Sequence, residues 1–599
     1  MRNKNLLTIF LLVIIGFSVY TFNLNNQLFW DDDEWIKSNI FVHNFSYLKE
    51  IFTQNVLAGF GLNSNYYRPL LLLSFAFNYI IHGIAPFGYH LLSNGFHIAN
   101  GVLIFLLLGK FLNRRTSFLA ALLFLIHPVQ TEAVTYISGR GDPMSVFFML
   151  TALWSYVKYF EIKRKLFAVS SLLFAIFAVL SRETAILFPL LLMIFYISFL
   201  SREKFISALK KSFIVSLPFW MISIVYFILR LTVFNFENTL NFYSQQNAYT
   251  ENLFFRLYTF GAVLIEYFKI IFYPVGLHME RSLPVATSLF QWPVWFGALI
   301  VLGVIFISFL LFRNLKIENS LKIENWNLKI KEPNSDFRIW FFGWAWFFVA
   351  LGPVSGIIPI NAIIYEHWLY LPLIGFATLT GFYLDKILFF LKNNQKLITY
   401  YLLLITLIAY FSFFTIQSIK RSILWGRPIE FYEDILKYSP ESVRILTNLG
   451  NLYSVRGDSV KAAEFYIRAV ETPDGKFFAE PYYNLGNIYR DSGQIDKAIE
   501  QYQKAIEADP NFPFAYQSLA EVYVNKKQDL ISGIEILEKL KAIQPGNPRL
   551  YYNLGLLYLA TNNFDLAVQN LESGLDFASG RDSEVEAAIK EILSKMRTN

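Results

Sequence analysis

The chain has 599 residues, of which 55% are hydrophobic, 18% are aromatic and only 16% are charged. Because a soluble domain usually carries about 25% charged residues, this composition indicates a multispanning membrane protein and argues against a soluble one. The formal charge of +7 is explained by basic loops between spans rather than by nucleic-acid binding. The absence of cysteine excludes disulfides, thiolate metal sites and cysteine nucleophiles.

Apolar runs follow one another up to about residue 417. The first run has Arg2 and Lys4 before it and no small-residue cleavage site after it, so we expect it to remain in the protein as a signal anchor. The stretches 69–82 and 252–274 are too short or too charged for spans and are expected at the membrane interface. The sequence predicts about eleven spans of roughly 20 residues, near 6–22, 88–109, 116–134, 143–160, 166–181, 184–200, 212–233, 290–312, 338–357, 368–390 and 397–416.

Four consecutive carboxylates follow the first span in "LFWDDDEWI", residues 28–36: Asp31, Asp32, Asp33 and Glu34. Such a cluster repels itself unless a cation binds, and carboxylate oxygens are ligands that suit Mg²⁺ or Mn²⁺. A carboxylate at the mouth of a span can also act as a general base on an acceptor hydroxyl. The simpler alternative is a solvated acidic cap on the signal anchor.

A second acidic loop is "HPVQTEAVTYISGRGDP", residues 127–143, with Glu132, Arg140 and Asp142. The distribution of Lys and Arg between loops puts it on the same side of the membrane as the first acidic loop. The two loops together predict a metal site in which the ion neutralises a phosphate, with Asp32, Asp33 and Glu132 as ligands. The alternative for Glu132 is an ion pair with Arg140.

Candidate phosphate ligands are the arginines near the same face, since a planar guanidinium binds phosphate oxygens in bidentate fashion. They are Arg68, Arg140 and Arg182. Arg182 and Glu183 could equally form a structural pair within the membrane. His90 and His97 lie on one helical face, where packing histidines are favoured over metal ligands.

The region after residue 420 repeats with a period near 35, which resembles the tetratricopeptide repeat, whose period is about 34. Stacked repeats of this kind form a concave surface that binds proteins or peptides. We expect a membrane domain at 1–420, about four repeats with a degenerate leading helix at 421–580, and a helical cap or tail at 581–599. The copies are "ILTNLGNLYSVRGDSVKAAEFYIRAVE" (445–471), "PYYNLGNIYRDSGQIDKAIEQYQKAIEADP" (481–510), "FAYQSLAEVYVNKKQDLISGIEILEKLKAIQP" (514–545) and "LYYNLGLLYLATNNFDLAVQNLESGL" (550–575).

Four segments taken together resemble the transmembrane and tetratricopeptide-repeat-containing protein O-mannosyltransferases of the GT-C superfamily. They are "YYRPLLLLSFAFNYIIHGIAPFGYHLLSNGFHIANGVLIFLLL" (66–108), the second acidic loop, "LSRETAILFPLL" (180–191) and "EHWLYLPLIGF" (366–376). The resemblance covers nearly the whole chain. It implies an all-α fold, with a GT-C-type membrane domain followed by a repeat solenoid. The lack of cysteine, the short loops and the few repeats are typical of a prokaryotic member.

The resemblance also implies a reaction. Such enzymes transfer a sugar, with inversion, from a polyprenyl-phosphate carrier on the extracytoplasmic or lumenal side. Their essential acids fall here on Asp31 to Glu34, with Asp32 and Asp33 favoured, and on Glu132. The family's Glu-Arg pair appears as Glu366 and His367, so His367 or another cation must replace the arginine if that arginine binds phosphate.

In the eukaryotic relatives the donor is dolichyl-phosphate mannose and the acceptors are Ser and Thr of secretory proteins, presented here by the repeats. We expect a multi-pass protein of the bacterial inner membrane or the endoplasmic reticulum, with the repeats outside the cytoplasm. The alternatives are a non-catalytic scaffold that recruits partners through its repeats, a transporter of lipid-linked sugars, and a transferase acting on a lipid or polysaccharide.

Overall fold

The computed structural model describes residues 2–60, 64–232, 248–281, 283–318, 335–358, 360, 362–579 and 582–598. All elements of regular structure in these ranges are helices, as the sequence predicts. The chain forms two compact units, Met1–Phe431 and Tyr432–Asn599. The predicted boundary at 580/581 lies outside the described residues.

The first unit makes the chain a multi-pass membrane protein, but with fewer clear spans than the sequence predicts. Among the described residues, eight helices are long and apolar enough to cross a membrane. A ninth span results if Arg114–Ile126 and Pro128–Thr135, which meet at a bend of 52°, count as one. The eight are Asn5–Asn23, Pro86–Leu108, Glu183–Leu200, Phe205–Thr232, Trp292–Phe312, Asp336–Val354, Pro372–Asn393 and Leu397–Leu424.

The other two predicted spans form the helices Gly141–Ile162 and Lys165–Ser181, which are not among these candidate spans, and the second has only 17 residues. The two helices pack against each other. The stretches expected at the interface are also helices, Pro69–His82 and Leu253–Phe272.

Burial separates the helices that build the core from those that face outward. Pro86–Leu108 and Glu183–Leu200 are 56% and 61% buried, whereas Trp292–Phe312 and Leu397–Leu424 are only 11% and 6% buried over their most apolar windows. Most apolar side chains on the two outward helices are exposed in the described part of the chain, which is the arrangement expected where lipid covers them. Pro86–Leu108 and Glu183–Leu200 therefore build the interior of this unit, whereas Trp292–Phe312 and Leu397–Leu424 lie at its outside.

The second unit is a series of antiparallel helix pairs joined by short turns. In the first two pairs, the helices approach closely because a glycine faces a tyrosine ring: a Cβ on Gly486 would lie 2.5 Å from Cε1 of Tyr502. In the third copy Ala520 takes the glycine position and is buried. The pairs are Val443–Val455 with Ser459–Glu471, Ala479–Asp491 with Ile495–Ala508, Pro513–Asn525 with Leu530–Ile543, and Pro548–Ala560 with Phe564–Ala578, followed by Ser583–Thr598.

Candidate functional site

The acid loop, residues 28–38, folds as a tight turn that separates its carboxylates. Trp30 has a φ of 63°, in the left-handed region, which reverses the chain just before the acids. The Asp33 amide then donates to the Trp30 carbonyl at 3.1 Å, and the Trp35 amide donates to the Asp31 carbonyl at 2.8 Å. As a result Asp32 is buried while Asp33 is exposed.

Asp32 is the innermost carboxylate of the acid loop, with 3% of its surface exposed. Its Oδ1 accepts hydrogen bonds from the Ser138 amide at 2.9 Å and from the Ser138 hydroxyl at 2.6 Å. Burial raises the pKa of Asp32 to about 7. The nearby Asp31 also raises this pKa, whereas the two hydrogen bonds from Ser138 lower it. A carboxyl group with this pKa can accept a proton near neutral pH.

The remaining acids of the loop have different surroundings. The Tyr136 hydroxyl donates a hydrogen bond to Asp31 Oδ2. Asp33, whose side chain is 57% exposed, forms an ion pair with Lys37 at 2.5 Å. Glu34 is partly buried. Of the two acids that the sequence favours, Asp32 therefore lies inside the site and Asp33 at its surface, while Asp31 lies beside Asp32.

The second acidic loop supplies Ser138, which contacts Asp32, and Glu132, which contacts His367. Glu132 is fully buried, and its Oε1 lies 2.6 Å from Nδ1 of His367. Its Oε2 has no hydrogen-bond partner among the described residues. The structure thus pairs Glu132 with His367 rather than with Arg140.

Arg140 is fully buried among neutral groups. Its guanidinium donates to the Ser93 hydroxyl at 3.0 Å, to the Ser74 hydroxyl at 2.9 Å and to the Tyr89 carbonyl at 2.9 Å. In the described part of the chain no carboxylate lies within ion-pair distance of it, although Asp32 interacts with it electrostatically at longer range. Arg140 therefore contributes positive charge near the acid loop while its donors hold neighbouring helices together.

Arg68 and Arg182 each bind a carboxylate. Arg182 Nε lies 2.8 Å from Asp142 Oδ1, and Arg68 Nε lies 2.9 Å from Glu183 Oε2. Arg230, which the sequence did not single out, lies 3.6 Å from the other oxygen of Glu183. Arg182 therefore pairs with Asp142 and not with its neighbour Glu183. Arg68, Arg182 and Arg230 are thus gathered around Asp142 and Glu183.

Asp142 connects two of these charged pairs. Asp142 interacts electrostatically with Arg182, His367, Arg68 and Glu132. It therefore links the Arg68–Glu183 pair to the Glu132–His367 pair, although these residues come from distant parts of the sequence.

Glu366 anchors a cluster that sequence reasoning missed. Its side chain is fully buried and lies 3.0 Å from Nη2 of both Arg281 and Arg421, and its Oε1 accepts the His278 amide at 2.6 Å. Arg421 lies just past the end of the last predicted span, on the side of the membrane where few basic residues are expected. This unexpected position is the only signal in the sequence of its buried role. Glu366 is held by cations from two separate segments.

Histidines contribute packing rather than metal ligation. His97 interacts with the Tyr370 hydroxyl at 2.8 Å and the Leu125 carbonyl at 3.1 Å, and His90 with the Asn26 carbonyl at 2.9 Å. Both are buried, as a packing role requires.

The predicted ligand set does not fit a Mg²⁺ or Mn²⁺ site. No group of three or more His, Cys, Asp or Glu side chains in the described ranges is arranged to hold a metal ion. Asp33 faces Lys37 and Glu132 faces His367, whereas Asp32 is bound by Ser138.

Comparison with known proteins agrees with the resemblance seen in the motifs. The chain is 26% identical over 491 residues to Protein O-mannosyl-transferase F38B6.6 of Caenorhabditis elegans, covering 78% of this chain and 63% of the worm protein. It is 36% identical over 162 residues to Protein O-mannosyl-transferase TMTC3 of Mus musculus, covering 26% of this chain and 18% of the mouse protein. The chain thus spans less than two thirds of the length of these curated relatives.

The repeats are confirmed by two family profiles. One described as "TPR repeat" matches residues 486–527, and one described as "Tetratricopeptide repeat" matches residues 548–579. Among solved structures, MamA is 29% identical with a TM-score of 0.24, covering 27% of this chain and 92% of that chain.

Proposed function

We propose that this chain is a protein O-mannosyltransferase that takes mannose from a polyprenyl-phosphate carrier and transfers it, with inversion, to Ser or Thr hydroxyls on the extracytoplasmic or lumenal side. The observation that carries the proposal is the buried Asp32, held by Ser138 and with a pKa near neutral. The names of the relatives support the transfer of mannose to protein.

Asp32 acts as the general base. It accepts the proton of the acceptor hydroxyl while the hydroxyl oxygen forms a bond to the anomeric carbon of the sugar. The bond between that carbon and the phosphate oxygen breaks in the same displacement, so the configuration inverts and the polyprenyl phosphate leaves with the electron pair. The Ser138 hydrogen bonds stabilise the carboxylate that must be ionised before each turnover.

The leaving phosphate requires positive charge, which the buried arginines supply. Arg68, Arg182 and Arg230 hold their guanidinium groups close to one another around Asp142 and Glu183. Fixed cations of this kind stabilise the charge that develops on the leaving group.

The repeats bind the acceptor protein. Repeat surfaces of this kind bind extended chains without supplying chemistry. This division of labour places recognition in the second unit and catalysis in the first.

The proposal is tested by the glycoproteins that cells make. Cells expressing the wild-type chain are compared with cells expressing Asp32→Asn, and the intact masses of secreted proteins are measured. We expect a hexose-sized mass to be lost from specific proteins in the variant. A control variant is Asp336→Asn, which removes a carboxylate paired with Lys386 outside the site and should change no mass.

Unchanged glycoproteins in Asp32→Asn, with normal membrane insertion, would contradict the proposal. If a repeat-dependent protein complex persisted in both, the chain would be a scaffold. If the hexose were instead lost from a lipid or polysaccharide, the acceptor would be wrong and the transfer chemistry retained.

A further inference from the structure

Aromatic rings at the end of the last span hold one side of the acid loop. The ring of Trp425 lies 5.8 Å from that of Phe29 and 4.4 Å from that of Phe431, measured between centroids. The ring of Phe431 lies 5.6 Å from that of Phe29 and 6.2 Å from that of Trp30. All four residues belong to the first unit. Since Phe29 and Trp30 directly precede the carboxylates, these contacts fix the start of the acid loop.

The second acidic loop holds the carboxylates that follow. The Tyr136 hydroxyl donates to Asp31 Oδ2, and the Ser138 hydroxyl donates to Asp32 Oδ1 at 2.6 Å. Two residues of one short segment therefore bind two adjacent carboxylates. A shift of the acid loop by one residue would break both hydrogen bonds, so the register of the two loops decides where Asp32 lies.

Trp425 connects these two sets of contacts. Its ring stacks on that of Tyr136, with the centroids 5.5 Å apart and 25° between the planes. Stacked aromatic pairs of this geometry attract each other beyond the area that they bury. The indole Nε1 of Trp425 has no hydrogen-bond partner among the described residues, so the ring itself makes these contacts. One ring thus touches both the acid loop and the residue that binds Asp31.

A rigid element carries Trp425, whereas the carboxylates lie on a turn. Trp425 follows directly on the helix Leu397–Leu424, and its amide donates to the Arg421 carbonyl at 3.1 Å. The Asn26 side chain donates to the Ser422 carbonyl at 2.7 Å, which ties the end of this helix to the segment before the acid loop. A reactive group on a loop keeps its position only where packing and hydrogen bonds around it are fixed.

We infer that Trp425 is a positioning residue of the transfer reaction. Its ring holds Phe29 and Tyr136, and through them it keeps Asp31 and Asp32 in register with the second acidic loop. The inference rests on the proposed function, since it concerns the base of that reaction. A misplacement of about 1 Å can cost about 10²-fold in rate. Loss of the ring therefore lowers the rate of transfer and leaves the affinity for the acceptor unchanged.

The first test is steady-state transfer by the full chain in lipid nanodiscs, from polyprenyl-phosphate mannose to a threonine-containing peptide. Trp425→Ala should lower kcat roughly 10²-fold and leave KM for the peptide unchanged. Trp425→Phe keeps a ring between Phe29 and Tyr136 and should retain most of the activity. Tyr136→Phe keeps the stacked ring and loses only the bond to Asp31, so kcat should fall roughly tenfold. This variant removes a single oxygen atom and decides the matter if Trp425→Ala does not fold.

A double variant distinguishes positioning from a general loss of structure. If the ring acts through Asp32, Trp425→Ala combined with Asp32→Asn should transfer as slowly as Asp32→Asn alone, because residues that act as a unit have non-additive effects. A further loss of roughly 10²-fold in the double variant would show that the two effects are independent. That result would assign Trp425 a purely structural role and overturn the inference.

The second test measures the acid loop without any transfer. Because the chain has no cysteine, Ser38→Cys introduces a single site for a nitroxide spin label at an exposed position at the end of this loop. The electron paramagnetic resonance spectrum should show a more mobile label in Trp425→Ala and an unchanged one in Trp425→Phe. The matched control is Trp344→Ala, whose ring lies 5.8 Å from that of Trp340 and 5.9 Å from that of Phe268. This control should leave the label as it is in wild type.

The two tests separate the inference from the proposed function. The inference requires both changes, so an unchanged kcat or an unchanged label in a folded Trp425→Ala protein would overturn it. If transfer depends on Asp32 but not on Trp425, the proposed function stands and the inference fails. If wild type transfers no mannose, the proposed function fails, and the label alone then shows whether Trp425 holds the acid loop.

Discussion

Replacing Ser138 tests whether the ionisation of Asp32 controls the reaction. The hydroxyl of Ser138 donates at 2.6 Å to the Asp32 carboxylate, and this bond favours the ionised form. A hydrogen bond to a charged group contributes about 1.5–3 kcal/mol, and one pKa unit is about 1.4 kcal/mol. Ser138→Ala should therefore raise the pKa of Asp32 from about 7 by roughly one to two units.

The expected effect depends on pH. Because the base must be ionised, wild-type activity rises with pH and levels off above about pH 7. At pH 7 wild type is about half ionised, and a one-unit rise in the pKa leaves about one tenth ionised, so the rate should fall roughly fivefold. At pH 9 the same variant should regain most of its activity. The Asp31→Asn variant should shift the profile the other way, to lower pH, because it removes a like charge.

The assay is the pH dependence of kcat/KM between pH 5.5 and 9.5, because this parameter reports the ionisation of the free enzyme. Ser171→Ala is the control, since that buried hydroxyl donates only to the Ala152 carbonyl at 2.8 Å. A Ser138→Ala rate that is lower by the same factor at every pH would refute the reasoning and assign Ser138 a purely structural effect.

Three other variants give distinct results. Asp33→Asn should retain most transfer activity, because that side chain is exposed, and a loss as large as that of Asp32→Asn would contradict its surface placement. His367→Phe leaves Glu132 buried without its partner and should cost about 3–5 kcal/mol of stability. The double variant His367→Phe with Glu132→Leu should recover part of this loss. Thermal unfolding in detergent measures both. Gly486→Ala should destabilise the repeats by about 1–3 kcal/mol, because its Cβ would meet the Tyr502 ring, and an unchanged melting temperature would argue against the close approach.

The sequence predicts what depends on local pattern. Apolar runs of span length and the repeated small and aromatic positions of the C-terminal region are properties of neighbouring residues, so both units were recognisable. Two of the predicted spans, Gly141–Ile162 and Lys165–Ser181, are helices that length and composition alone do not mark as spans, and their crossing of the membrane stays a prediction.

The pairing of charges could not be read in the same way. Glu132 and His367 are separated by 235 residues, and Arg281 and Glu366 by 85, so each contact depends on how distant helices pack. The left-handed turn at Trp30 determines which acids of the loop, Asp31 or Asp33, lie towards the interior. The composition of the sequence gives no signal of that turn.

Transfer by the purified, reconstituted protein tests the central claim most directly. Wild type and Asp32→Asn are placed in lipid nanodiscs with radiolabelled polyprenyl-phosphate mannose and a threonine-containing peptide, and label in the peptide is measured over time. The account predicts transfer by wild type and a loss of about 10²–10⁴-fold in the variant, the usual contribution of a general base. Transfer at an equal rate by both proteins, or none by a folded wild type, would contradict it.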